Sequence, residues 1–284
     1  MQSKIALVFP GQGSQYVGMG KDLYDSFATA RRIFDEADQR LGFALSRMCF
    51  EGPEEELRET INSQPAIFAT SIATLATLRE RLDALGKQIT PIMMAGHSLG
   101  EYTALVAAGS LSFEDGLALV RERGRLMKET GDRQPGGMAA VIGLDDDKIT
   151  EVCQQASAKG IIIPANFNSP GQVVISGEIA ALTEAMQLAL SMGARRAVRL
   201  AISIASHSPL MQQVSDQLSD ALGRFCICDA QIPVVANISA RAITSVEDIR
   251  AELVNQVSRS VLWAQSVLRM GEAGVDTFVE VGPG

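Results

Sequence analysis

The sequence predicts an α/β protein in two parts: a larger unit built on a parallel sheet, and a smaller βαββαβ unit inserted into it. Three observations carry the prediction. Short apolar runs at residues 5–9 and 92–95 each lead into a glycine-rich turn, the second followed by a stretch of helix formers. Between residues 131 and 204 the order becomes strand, helix, strand, strand, helix, strand, a ferredoxin-like split motif in about the length that one such unit needs. Glycines near residue 136 mark a hinge at the start of that unit. The predicted division is 1–130 together with 205–284 for the larger unit, and 131–204 for the smaller.

At 284 residues the chain can bury a full core, and 46% hydrophobic with 20% charged residues is ordinary for a soluble globular protein. A net charge of −8 argues against nucleic acid as the main partner, because an acidic protein needs a local basic pocket to hold an anion. Cys49, Cys153, Cys226 and Cys228 are scattered, and Cys226-x-Cys228 lacks the usual redox or zinc spacing. All four are expected to be reduced core thiols, with no metal site. No signal peptide precedes Lys4, and no apolar run is long enough to span a bilayer. The expectation is a cytoplasmic protein with no membrane contact.

In chain order, the strand at 5–9 runs into Pro10-Gly11-Gln12-Gly13-Ser14-Gln15. Open α/β sheets bind ligands at that edge, so Gln12 is a candidate polar group aimed into a site. A nucleotide-binding loop fails in detail. Tyr16 stands where the dinucleotide fingerprint needs glycine, and no Gly-Lys-Ser/Thr follows. Residues 22–48 and 54–85 read as helices, with Ser63-Gln64-Pro65 breaking the second and Ala66 restarting it. Gln64 reads as a turn residue, with a place in the site as the alternative.

The smaller unit has predicted strands at 138–142, 161–167, 172–176 and 197–202, helices at 146–157 and 179–192, and a turn at 168–171. Beyond it, Ser208 followed by Pro209 is a helix start, with the serine as N-cap. That helix runs to about 225. A strand at 232–237, helices at 246–257 and 263–271 and a strand at 277–281 follow. A closing helix is expected after Gly282-Pro283-Gly284, so the sequence is expected to stop short.

The chain is organised around Gly96-His97-Ser98-Leu99-Gly100. A Gly-x-Ser-x-Gly turn between a strand and a helix is a nucleophile elbow: its glycines leave room for a strained turn that lifts the serine hydroxyl above the sheet edge. Ser98 then sits at a helix N-terminus, where free N–H groups favour an oxyanion. A serine nucleophile needs a base, and the chain has two histidines. His97 adjoins Ser98 on a sharp turn, so its side chain should diverge. His207, on the loop leaving the smaller unit, is the candidate base. No acidic residue stands out to orient it, so a backbone carbonyl or an amide near the C-terminal part is expected to serve.

The helix at about 113–129 carries a second clue. Leu117, Leu119, Val120, Gly124, Leu126 and Met127 fall on one apolar arc, and Arg123 is the only charge in it. A guanidinium facing a packed interior is costly unless it meets an anion. Its partner is either a buried carboxylate of the protein or a substrate carboxylate gripped bidentately.

Together these residues resemble the malonyl-CoA:acyl carrier protein transacylases and the related polyketide synthase acyltransferase domains. The match is carried by Phe9-Pro10-Gly11-Gln12-Gly13-Ser14-Gln15, Gly96-His97-Ser98-Leu99-Gly100-Glu101 and Arg123-Gly124. Asn166-Phe167-Asn168-Ser169-Pro170-Gly171-Gln172, Ser206-His207 and Glu280-Val281-Gly282-Pro283-Gly284 extend it in family order to the end of the chain.

The resemblance implies an α/β-hydrolase-like large domain with a ferredoxin-like insert. It implies malonyl transfer from malonyl-CoA to acyl carrier protein, as in fatty acid synthesis, by a ping-pong route through a malonyl-serine. No cofactor is implied, since malonyl-CoA is a substrate. Ser98 becomes the acylated nucleophile, His207 its base, and the backbone N–H groups of Gln12 and Leu99 the oxyanion hole. Arg123 becomes the clamp on the malonyl carboxylate, and the backbone carbonyl of Gln256 orients the histidine. After Gln256 the sequence departs from the family, with Val257-Ser258-Arg259-Ser260 in place of a more aromatic, proline-containing stretch. Methylmalonyl or polyketide specificity, a serine thioesterase or hydrolase, and a catalytically silent carrier-protein-binding module are the competing readings.

Overall fold

The computed structural model describes residues 3–283; Gly284, the last residue of the Gly-Pro-Gly motif, lies outside them. The first sheet contains β1 (Ile5–Phe9), β2 (Met93–Gly96), β7 (Val234–Val235), β8 (Ala242–Ile243) and β9 (Thr277–Glu280), in the order β8-β7-β2-β1-β9. The second contains β3 (Gly136–Ile142), β4 (Ile162–Ser169), β5 (Gln172–Glu178) and β6 (Arg196–Arg199), in the order β4-β5-β3-β6. Four strands of the first sheet run parallel, and β8 closes its edge antiparallel to β7. The second sheet is antiparallel throughout, with helices Asp146–Ala156 and Ile179–Ser191 in its two crossovers. That is the ferredoxin-like split pattern.

The central strands are apolar because both faces of a parallel sheet are covered. Leu7, Phe9 and Met94 join one core, and Ala6, Ala95 and Val235 join a smaller one on the opposite face. Phe9 pairs with Gly96, so β1 and β2 end level and their following turns open at one edge. Val261 bridges to Asn166 and accepts a hydrogen bond from the Phe167 N–H at 2.9 Å, which ties the second sheet to the loop before helix Trp263–Glu272.

Several local expectations are corrected. The predicted helix at 22–48 is three helices, Lys21–Ser26, Ala28–Leu41 and Leu45–Glu51. Phe27 turns extended between the first two, and Gly42 ends the second with a φ of 73°. In the opposite sense, Pro65 does not break its helix, which runs from Thr60 to Ala84. Proline removes the N–H that would bond the carbonyl four residues back. Here Arg121 Nη1 donates to that carbonyl, Ile61 O, at 2.6 Å.

The strand predicted at 197–202 ends at Arg199, and β8 was not predicted. Cys49 and Cys153 are buried as expected, but Cys226 and Cys228 are exposed. Backbone bonds from Cys226 N–H to Asp115 and from Cys228 N–H to Ser110 O hold their loop on the surface. Gly136 and Gly137 form the start of β3 and are buried there. A Cβ on Gly136 would lie 2.6 Å from Ala205 Cβ, so close packing explains the glycine. Ser208 precedes Pro209 at a helix start, yet its hydroxyl donates back to Ala205 O instead of capping. Among the described residues no helix is long and apolar enough to cross a membrane.

Candidate active site

The elbow is built as its glycines require. A Cβ on Gly96 would sit 1.9 Å from Gly100 C, and one on Gly100 would sit 2.2 Å from Phe9 O. Ser98 takes a φ of 51°, a left-handed conformation that a non-glycine residue holds only under constraint. The constraint comes from both sides of its peptide: Asn237 Oδ1 accepts from Ser98 N–H at 2.7 Å, and Gln256 Nε2 donates to Ser98 O at 2.7 Å.

His207 also has a positive φ, 59°, and its N–H is tied to Val257 O at 2.8 Å. The ring is buried. Its Nδ1 lies 2.8 Å from Gln256 O and 3.2 Å from Arg259 O, and its Nε2 lies 2.7 Å from Ser98 Oγ. Carbonyls only accept, so Nδ1 carries the proton and Nε2 presents a lone pair to the serine O–H. Burial, and then the nearby Arg123 charge, push the His207 pKa down to about 3, so the ring stays neutral at pH 7.

Arg123 is 1% exposed and, among the described residues, meets no carboxylate directly. Nη1 donates to Gln64 Oε1 at 2.8 Å, and Nη2 donates to Gln256 Oε1 at 3.0 Å and to Ser98 Oγ at 3.1 Å. The guanidinium lies 5.4 Å from the centre of the Tyr102 ring, and Nε has no hydrogen-bond partner among the described residues. Gln64 is therefore a buried site residue rather than a solvating turn. It also donates to Thr60 Oγ1 at 3.0 Å, and Thr60 donates to Gln12 Oε1 at 3.0 Å, so an unbroken chain of polar groups joins Arg123 to Gln12.

Gln12 follows β1 and Leu99 follows the nucleophile. Neither backbone N–H donates to another protein group among the described residues. His97 turns away from Ser98: its Nε2 lies 2.8 Å from Asn168 Oδ1, and its ring meets Trp263 edge-on at 5.6 Å. Gln12, His97, Ser98, Arg123, Asn166 and His207 all line one cleft of about 520 Å³ between the two sheets.

Residues 6–284 match the acyl transferase domain family. The chain belongs to that family. It is 45% identical over 283 residues to the malonyl CoA-acyl carrier protein transacylase of Bacillus subtilis (strain 168), covering 99% of this chain and 87% of the relative. The enzyme of that name from Escherichia coli (strain K12) is 42% identical over 282 residues, covering 99% and 90%. Among solved structures, a type II PKS acyl-carrier protein in complex with its malonyl-transacylase matches with a TM-score of 0.95 at 42% identity, over 99% of this chain and 90% of that one. An acyl carrier protein S-malonyltransferase from Vibrio cholerae matches at 0.92 and 41%, with the same coverage.

Three residues of this acyl transferase domain escaped the sequence reading. Asn237 and Glu101 lie on the turn after β7 and on the elbow helix Gly100–Ala107, and Glu252 lies on helix Val246–Asn255. Both carboxyls are buried. Burial, and then the Glu252 charge, raise Glu101 well above the usual carboxylate range, and burial pushes Glu252 up to about 7. An acidic residue in Gly-His-Ser-Leu-Gly-Glu was visible, but only the fold reveals that it points inward. Gln256 was expected to act through its backbone carbonyl; its side chain is equally committed.

Proposed function

We propose that this chain transfers a malonyl group from malonyl-CoA to the phosphopantetheine thiol of acyl carrier protein through a malonyl-Ser98 intermediate. One observation carries the reading: Ser98 Oγ meets a neutral histidine Nε2 and an arginine Nη2 at the same time. An esterase acting on uncharged acyl groups has no use for a buried cation at its nucleophile, whereas a substrate ending in a carboxylate does.

The malonyl carboxylate pairs with Arg123. That pairing offsets the guanidinium charge felt by His207, so binding the substrate makes the base stronger just when it is needed. His207 Nε2 takes the Ser98 proton as Oγ attacks the thioester carbonyl. The oxyanion is received by the Gln12 and Leu99 N–H groups, each such donor typically contributing about 3 kcal/mol. Collapse breaks the C–S bond, and His207 returns its proton to the departing CoA sulfur. The carrier-protein thiol then gives its proton to His207 and attacks the Ser98 ester, and Oγ leaves as it regains that proton. Each step is served by this chain's own side chains and backbone, with CoA entering as part of the substrate and no cofactor required. A cytoplasmic setting fits soluble thioester substrates and four free thiols.

The test is incubation with radiolabelled malonyl-CoA, with and without holo acyl carrier protein. Label on Ser98 that is discharged onto the carrier protein is expected. Absence of label on Ser98 points to a silent binding module, and release to water faster than to carrier protein points to a hydrolase; either overturns the proposal.

A further inference from the structure

Two buried residues with no part in the transfer steps hold the nucleophile from beneath. Asn237 accepts from the Ser98 N–H and gives its side-chain N–H to Gly96 O at 2.8 Å, so it fixes the strand end and the nucleophile together. Glu101, with no exposed surface, accepts from the Asn237 backbone N–H on Oε1 at 2.9 Å and from Gln256 Nε2 on Oε2 at 2.5 Å. The two residues that grip opposite ends of the Ser98 peptide therefore rest on a single carboxyl group. Behind it, Glu252 Oε1 accepts from the Ile238 N–H at 3.0 Å.

The direction of these bonds matters. An amide side chain has a donor end and an acceptor end, and its orientation is set by its neighbours. Gln256 presents its NH₂ to Glu101 and Ser98 O, which forces its oxygen toward Arg123. We infer that Glu101 is a positioning residue for substrate selection: by accepting from Gln256 it orients that amide, which aims the Arg123 guanidinium at the substrate carboxylate. This inference rests on the reading of Arg123 as a malonyl clamp. Burial and Glu252 favour the protonated, uncharged form of Glu101, so glutamine is close to it in shape and charge. The difference is that the oxygen accepting from Gln256 becomes an NH₂ group that can only donate.

In Glu101→Gln the new amide must keep its oxygen on the Asn237 N–H, because a backbone N–H cannot become an acceptor. Its NH₂ then meets the NH₂ of Gln256, and the relief is a flip of Gln256 that turns a donor toward Arg123. The loss should fall on charged substrates. Expected is a drop of about ten-fold or more in the ratio of kcat/KM for malonyl-CoA to that for acetyl-CoA, the size of one lost hydrogen bond to a charged group. The melting temperature should change little.

A merely structural role lowers both substrates equally and leaves the ratio unmoved. That result overturns the inference. If Glu101→Gln does not fold, Gln256→Leu removes the relay directly; the same fall is expected, and a wild-type ratio overturns the inference. A wild-type protein that takes no malonyl onto Ser98 overturns the functional reading instead, and that outcome is read without any variant.

Discussion

Arg123 Nη2 and His207 Nε2 converge on one oxygen, Ser98 Oγ, at 3.1 and 2.7 Å. A cation and a neutral base thus share the nucleophile before any substrate arrives. The arrangement makes Arg123 part of both substrate selection and the tuning of the base, and the two roles can be separated by experiment.

Selection is tested by Arg123→Ala. Removing one member of a buried, hydrogen-bonded charge pair typically costs about 2–5 kcal/mol, roughly thirty-fold to several thousand-fold. The kcat/KM for malonyl-CoA should fall by that order, while acetyl-CoA loses far less. Ser98 should remain reactive toward a neutral serine-directed phosphonate. Unchanged malonyl preference contradicts the clamp.

Tuning is tested by the pH profile of acylation. His207 is lowered to about 3, first by burial and second by Arg123, so the acid limb of kcat/KM should lie well below the ordinary histidine value of 6.5. Arg123→Gln removes a positive charge that disfavours the imidazolium. The histidine then holds its proton to higher pH, and the acid limb should move upward. A limb that stays put, or moves down, separates Arg123 from the base.

Much of this site was legible in the residues because its chemistry is local. Gly96 and Gly100 announce the elbow, and a charge alone in an apolar helical arc announces Arg123. With two histidines in the chain, His207 followed by elimination. Asn237 and the side chain of Gln256 were not legible as supports, since they reach Ser98 across 139 and 158 residues of chain. Gln64 was misread for a related reason. Proline signals a helix break only when nothing else satisfies the carbonyl it strands, and Arg121 lies 60 residues away from that carbonyl. Cys226 and Cys228 show the limit of composition: cysteine is usually buried, but the loop's backbone bonds decide otherwise.

The buried carboxyls predict a pH-dependent stability. Glu252 is raised to about 7 in the folded protein from an ordinary 4.5. The folded state therefore binds more protons than the unfolded state between those values, and stability is lost as pH rises through them. His207 acts in the opposite sense, contributing stability above about 6.5 that is lost as pH falls toward 3. A difference measurement reads Glu252 together with its effect on Glu101. The melting temperature of Glu252→Gln minus that of the wild type should increase from about pH 5 to about pH 8. A flat difference denies the shift.

The helix that delivers Gln64 depends on Arg121, which donates to Ile61 O at 2.6 Å and to Asn62 Oδ1 at 2.8 Å and stacks 4.8 Å above Phe43. Arg121→Ala should cost about 1–2 kcal/mol in urea unfolding, from the lost hydrogen bonds and ring contact. Pro65→Ala restores an N–H to the same carbonyl. Arg121→Ala should then cost about 1 kcal/mol less in the Pro65→Ala background, a coupling that a double-mutant cycle measures directly. Additive effects would mean that the helix bridges its proline without Arg121. Because Gln64, which accepts from Arg123, lies on this helix three residues after Ile61, Arg121→Ala should also lower malonyl preference modestly, and Pro65→Ala should partly recover it. A stability change with no shift in preference would confine Arg121 to holding the helix.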